Sequence, residues 1–306
     1  MSKIENCRVE SVESSGDFNS NIEKAISEAM DLLKERYEDQ SEEKDNLPFH
    51  NVEHTQEVMK RVETILKAIQ EADPALVSDH DIKIGRLASA YHDTVQKWEE
   101  NRVKDGYFEK VLRKRFAGKN ETASSDEAVS FMAKANKNEV IFSDDDKVTV
   151  QRAIDITVPD WDMENKTVMQ PNLKENSSLV ERALALSDLA TAGMDGPKKF
   201  VKEGSSLFRE ENLDILEAIR SGEEIPKDKQ EYFKKRMVGW LKSQAGFAKG
   251  RQARLEIELQ SIPSEEARKS VAKLFNKFED SIKAAKEVAD QAESMTFEEL
   301  VKYMGY

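Results

Sequence analysis

The run Leu47-Pro48-Phe49-His50-Asn51-Val52-Glu53-His54-Thr55-Gln56-Glu57-Val58-Met59-Lys60-Arg61-Val62, taken with Tyr91-His92-Asp93, decides how this chain is read. The chain has four histidines, His50, His54, His80 and His92, and none follows His92. Pro48 is a natural helix-start residue. Behind it Val58, Val62, Ile65 and Ile69 recur at helical spacing. A helix is therefore predicted from Pro48 to about Ala72, ended by Asp73-Pro74. His50 and His54 fall four apart on one face of its first turn. The segment Ile82 to His92 carries Ile84, Leu87, Ala88 and Ala90 and reads as a buried helix. It ends on two ligand-type side chains, His92 and Asp93. A divalent metal needs neutral imidazoles and carboxylates brought together from separate elements. His80 lies about three helical turns before His92 and reads as a loop or cap residue.

These residues resemble the HD superfamily of metal-dependent phosphohydrolases, all-helical proteins with the ligand order His, then His-Asp, then a distant Asp. By that resemblance His54, His92 and Asp93 are metal ligands. Asp188, late on the apolar helix Ala183-Leu184-Ala185-Leu186-Ser187-Asp188, completes the tetrad. The run from His50 to His54 is also similar to the opening motif of cyclic-nucleotide phosphodiesterases. There the first histidine protonates the leaving oxygen and the second binds metal, so the resemblance makes His50 a proton donor. Asp93 would also orient the attacking water. Small HD hydrolases carry a step similar to Asn120-Glu121, which makes Glu121 a water-orienting carboxylate; a plain helix-start glutamate fits equally well. The resemblance spans about residues 20–220. It implies one divalent ion, Mn, Fe, Co, Ni or Zn, with room for a second, water-rich ion such as Mg.

Departures from the family pattern narrow the reaction. Members with a di-iron centre draw further histidines from between His-Asp and the final Asp, and this chain has none there. Oxygenases and cyclic-dinucleotide phosphodiesterases are disfavoured on that ground. The run His92-Asp93-Thr94-Val95 is similar to the alarmone hydrolases, but Gln96 and Lys97 stand where their acidic pair follows. Bacterial five-prime nucleotidases place a glutamate where Gln96 stands. What survives is a phosphomonoesterase or phosphodiesterase acting on a small, nucleotide-like phosphate. Its rivals are a non-catalytic sensor of a phosphorylated ligand and an oligomerising helical scaffold.

The totals fit this reading. Of 306 residues, 38% are apolar and 35% charged, and Gly (12) and Pro (7) are scarce, as in a helical, surface-rich chain. The net charge of −13 disfavours a nucleic-acid polymer as partner, since such binding depends on Lys and Arg neutralising phosphates. The lone Cys7 excludes an intramolecular disulfide framework. No long apolar run suggests a membrane span, and the first residues are too polar for a secretory signal. The expected location is cytoplasmic.

Along the chain, residues 1–17 are polar and read as a flexible arm, and Ser20 with Glu23 resembles a capping box that opens the first helix. Residues 94–120 form an insert-like region with the most basic patch in the chain. It reads as a solvated helix end or as a phosphate-facing lip in which Lys97, Arg113, Arg115 and Lys119 bind substrate. Thr157 and Asp160 are placed at the pocket rim. Residues 204–220 read as one helix, and Ser221-Gly222 as the best boundary. The expected organisation is an all-α, HD-domain-like bundle over 18–222 with a helical extension over 223–306. The extension packs on the core or forms a homodimer interface, and its Gln244 and Arg251 are the residues expected to reach the pocket.

Overall fold

Apolar side chains spaced at 3.6 residues need a partner surface, and helices supply it throughout the chain. The computed structural model describes residues 15–306, with side chains from residue 17. Cys7 and almost all of the expected arm lie outside that range; residues 15–17 already belong to the first helix. The order is α1 (Ser15–Tyr37), α2 (Val52–Ala72), α3 (Asp79–Tyr91), β1 (Trp98–Asp105), β2 (Phe108–Arg115), α4 (Lys119–Ala135) and α5 (Asp144–Asp155). Next come β3 (Asp160–Asp162), β4 (Thr167–Met169), α6 (Leu179–Asp188), α7 (Thr191–Met194), α8 (Pro197–Glu211) and α9 (Leu213–Arg220). The chain then runs through α10 (Lys227–Leu259), α11 (Glu265–Leu274), α12 (Phe278–Ser294) and α13 (Phe297–Met304). This is an all-α bundle with two small antiparallel hairpins, β1–β2 and β3–β4.

The helix α2 is the central strut. Its Val58, Val62, Ile65, Leu66 and Ile69 are buried, and it packs against α3, α6 and α11. One continuous apolar cluster joins Ile22 of α1, Leu87 of α3, Leu184 of α6, Ala248 and Leu255 of α10, Val271 of α11 and Ile282 of α12. The tail helices therefore share the core of the preceding helices. A second cluster around Phe208, Phe233, Met237 and Leu300 ties α8, α10 and α13 together. Several helices start on a Ser or Thr cap, at Ser78, Ser143, Ser178, Ser264 and Thr296, whose hydroxyl accepts an N–H of the first turn.

Four local expectations are corrected. The helix α2 begins at Val52, not Pro48, because the Asn51 side chain accepts from the His54 N–H at 3.0 Å and caps it. His50 consequently lies in the loop before the helix. The helix α1 begins at Ser15, so Ser20 and Glu23 lie inside it. Residues 98–115 form a β-hairpin, not a helix end: Asp105 pairs with Phe108 across a two-residue loop, and Gly106 takes φ +66. The helix expected over 204–220 is broken at Asn212 (φ −105, ψ 76), whose backbone bridges to Leu112 of β2. Among the described residues, no helix is long and apolar enough to cross a membrane.

Glycines of α10 test how tightly it packs. A Cβ on Gly250 would lie 2.4 Å from the Asn165 carbonyl oxygen and 2.7 Å from Thr167, whereas one on Gly246 meets nothing within 4 Å. Gly250→Ala should destabilise the fold by about 1–3 kcal/mol through overpacking. Gly246→Ala should stabilise it by about 0.5–1 kcal/mol through helix propensity. Chemical denaturation of the two variants checks the opposite signs.

A candidate metal centre and its cavity

Three helix ends converge to build the centre. The Asn51 cap fixes the first turn of α2 and with it the buried His54. His92 is the C-cap of α3, with Asp93 next in the chain, and Asp188 is the last residue of α6. The ring nitrogen His54 Nε2 lies 3.5 Å from Asp188 Oδ1 and 3.6 Å from Asp93 Oδ2. His92 Nε2 lies 3.7 Å and 3.1 Å from the same two atoms. Ligand bonds of ~2.1 Å place neighbouring ligand atoms ~3.0 Å apart around an octahedral ion and ~3.4 Å apart around a tetrahedral one, close to these separations.

The polar-atom accounting points the same way. His92 Nδ1 meets the Ser89 carbonyl at 2.7 Å. A carbonyl only accepts, so Nδ1 carries the proton and Nε2 of the neutral ring keeps its lone pair. Both His92 Nε2 and His54 Nε2 are buried with no hydrogen-bond partner, which is costly for a polar atom out of water. His54, His92 and Asp188 thus form a buried group that can hold a metal ion. The carboxylates are held from behind: Gln96 donates to Asp93 Oδ1 at 2.7 Å, and Gln170 to Asp188 Oδ2 at 3.1 Å. Burial works against their charge, but the imidazoles hold both carboxyls below the usual carboxylate range, Asp93 chiefly through His92 and Asp188 through His54 and His92. Against the same burial, Asp93 and Asp188 lift His92 well above the ordinary histidine value.

His50 is built in beside this group. Glu210, in the last turn of α8, accepts from the main-chain N–H groups of Phe49 and His50 at 3.0 and 3.1 Å, and meets His50 Nδ1 at 2.5 Å. Burial would raise the Glu210 carboxyl; the attraction of His50 overrides it and brings it to about 2. The other ring nitrogen, His50 Nε2, lies 2.6 Å from Arg115 Nη1. A guanidinium only donates, so Nε2 accepts and Nδ1 donates to Glu210. Arg115 Nη2 is also 4.0 Å from Asp93 Oδ1.

A cavity of about 260 Å³ opens onto these groups. His50, Asp93, Arg115, Glu121 and Asp188 line its polar end, and Phe49, Leu207, Phe200 and Phe247 its apolar side. Phe200 and Phe247 stack with ring planes 11° apart. Burial raises the Glu121 carboxyl above the ordinary value. Burial, with the neighbouring Glu210 charge, pushes the Glu211 carboxyl up to about 7.

The structure gathers some expected residues and disperses others. His50, His54, His92, Asp93, Glu121, Asp188, Arg115 and Thr157 surround the centre or its cavity. Lys97 and Lys119 are exposed and do not line the cavity. Arg113 is buried against Trp98, 4.1 Å from the ring centroid, and faces a different cavity. Its position follows from the strand: the buried side carries the guanidinium while Lys114 points out to Glu99. Asp160 is exposed on β3. Gln244 packs against Gly204, and Arg251 is committed to Glu258 at 2.7 Å; Phe247 is the α10 residue that lines the cavity. His80 lies 2.7 Å from Asp146 and stacks on Phe18, away from the centre. Sequence reading did not find Glu210, Glu211 or Gln170. No periodicity marks Glu210 or Gln170, whose partners His50 and Asp188 lie 160 and 18 residues away. Compared with protein-family models, curated proteins and solved structures, the chain matches none.

His92→Ala and Asp188→Ala should each abolish stoichiometric metal binding, measured by elemental analysis after reconstitution. Chelation should lower the melting temperature of the wild type and leave these variants unmoved, because ligand binding adds to the stability of the folded state. A second expectation concerns pH. The raised Glu211 carboxyl adds stability in full below the ordinary glutamate value of about 4.3, and that contribution disappears as pH rises through about 7. Denaturation curves between these values should show the wild type losing stability relative to Glu211→Gln.

Proposed function

We propose that this chain is an HD-type, metal-dependent phosphohydrolase that cleaves a phosphate ester on a small, nucleotide-like molecule. The observation that carries this reading is the sharing of one cavity by Asp93 and Asp188, the carboxylates beside His54 and His92, and the Glu210-backed His50. A pure metal-storage or scaffold role gives no reason for a carboxylate-held imidazole aimed at the same space.

In this reading His54, His92, Asp93 and Asp188 hold one divalent ion of the Mn, Fe, Co, Ni or Zn type, with Mg as a candidate second ion. Such an ion supplies a water of lowered pKa and Lewis-acid attraction for a phosphoryl oxygen. The protein side chains do the rest. Asp93, fixed by Gln96, presents a carboxylate to the attacking water. Gln96 thus serves by orienting Asp93 where relatives of the proposed family use an acid. Glu121, held by the Gly118 N–H at 2.5 Å, faces the same cavity as a second carboxylate for water. Arg115 is the cation expected to clasp the phosphate, bidentate where geometry allows. Drawing Arg115 onto the phosphate also uncovers His50 Nε2. Once free of Arg115, His50 Nε2 takes up a proton from solvent, Glu210 stabilises the charge on the doubly protonated ring, and Nε2 gives that proton to the departing oxygen, which returns the ring to neutral. The Phe49, Phe200 and Phe247 wall suits the flat apolar face of a base.

Phosphate release from cyclic and linear nucleotides, with and without added metal, tests the proposal. Metal-dependent, chelator-sensitive turnover of one class is expected; a metal-replete protein that binds these compounds without turnover would favour a sensor. His50→Ala should keep its metal and lose about 10²–10⁴ in kcat, as for general acid catalysis. Arg115→Met should raise KM as well as lower kcat, because the same side chain meets both phosphate and His50.

A further inference from the structure

Glu210, whose carboxylate holds His50, also lines a second cavity of about 230 Å³. Where acids predominate in the first, three arginines and three glutamates balance here. Arg113, Arg209 and Arg220 line it, together with Tyr306, Tyr37 and Asn51. Arg113 is only 6% exposed. Its Nε donates to the Glu210 carbonyl at 2.9 Å, its Nη2 donates to the Lys44 carbonyl, and its Nη1 has no partner. Arg209 donates through Nη1 to the Gly305 carbonyl, and its Nε has no partner. The Tyr306 hydroxyl, also buried, has none either.

Every acceptor these two guanidiniums use is a neutral carbonyl. Among the described residues, no carboxylate lies within ion-pair distance of either one. The acids on the wall are engaged elsewhere: Glu43 with Arg220 at 2.9 Å, Glu38 with the Val52 N–H at 2.9 Å, and Glu210 with His50 and two amides. Arg113 is a buried cation without an ion-pair partner, which is costly, and the half-buried Arg209 has its Nε out of water. Burial accordingly pushes the Arg113 and Arg209 guanidiniums down from their usual range.

We propose that this cavity is a binding site for a small phosphate-type anion, held by Arg113 Nη1, Arg209 Nε and the Tyr306 hydroxyl. Guanidinium forks match phosphate oxygens in geometry and charge, and a hydroxyl donor completes the set. The volume admits inorganic phosphate or a small phosphate monoester and falls below the ~300 Å³ at which drug-sized ligand pockets begin. An anion here would pull on Arg113, which holds the main chain of Glu210, so its occupancy would be felt at His50. The inference rests on this cavity alone and stands apart from the hydrolase reading.

The test uses full-length protein stripped of metal with chelator, and in parallel the Asp188→Ala variant, so that the metal centre cannot capture the anion. Inorganic phosphate and glycerol phosphate are titrated at constant ionic strength, by calorimetry and by melting temperature, with chloride as the reference. Saturable binding with a rise in melting temperature is expected, weakened at least tenfold in Arg209→Gln. Preference for the ester over inorganic phosphate, or the reverse, identifies which source fits. A response matched by chloride, or one undiminished in Arg209→Gln, overturns the proposal. If Arg209→Gln does not fold, Tyr306→Phe serves instead, and unchanged affinity there overturns it equally.

Discussion

Two imidazole nitrogens and two carboxylates, Asp188 half-buried and the others buried, meet where α2 begins and α3 and α6 end, and the rest of the structure has to keep them there. Water does not reach the two imidazoles, so each of their polar atoms needs a partner within the protein or an ion between them. His92 Nδ1 is satisfied by Ser89, Asp93 by Gln96 and Asp188 by Gln170, while the two facing Nε2 atoms and His54 Nδ1 are not. The two unsatisfied Nε2 atoms both face the carboxylates, the arrangement of a group that can hold a metal ion. The helices supply the rigidity. The group lies at helix ends, where the chain can turn side chains inward without breaking the α2 packing that forms the core.

Much of this centre was legible because its chemistry coincides with helix boundaries. His54 follows a strong cap, and His92-Asp93 and Asp188 each end an apolar run, so residue type and periodicity pointed to the same places. The helical class was legible for the same reason. Pro48 misled at α2 because Asn51, with a side chain that accepts the His54 N–H, competes better for the cap than proline does at the helix start. The hairpin was obscured by its own exposure. Six of the eight residues of β1 are charged or polar, and six of the eight are exposed, so no inward face shows in its sequence. Asp105-Gly106 was the one turn signal available. Glu210 could not be read at all: its partner His50 is 160 residues away, and two adjacent glutamates near a helix end look like ordinary surface acids.

The tail is a second case in which local pattern could propose but not decide. Each of its helices showed an apolar face, and a core or a second copy of the chain could have covered it equally well. The long helix α10 resolves the matter locally by running past both apolar clusters, with Phe233 and Met237 in one and Ala248 and Leu255 in the other. Its small residues set how closely it approaches, and at Gly250 a carbonyl of the β3–β4 turn takes the space a Cβ would fill. The residue it brings to the metal-side cavity is accordingly the apolar Phe247, and the polar Gln244 and Arg251 are spent on packing and on an ion pair.

The hairpin links both cavities through the period of a strand. Val111, Arg113 and Arg115 alternate with Leu112 and Lys114, so the two arginines fall on one face of β2. That face meets the end of α8, where Asn212 breaks the helix to pair with Leu112. Arg113 reaches the carbonyl of Glu210, and Arg115 reaches the ring of His50, which the carboxylate of Glu210 holds from the other side. A single strand thus places one guanidinium in each cavity, with the His50–Glu210 pair between them. Because the spacing is two residues, neither arginine can shift in register without turning both to solvent. A charge arriving in one cavity therefore acts on a strand that also holds the other.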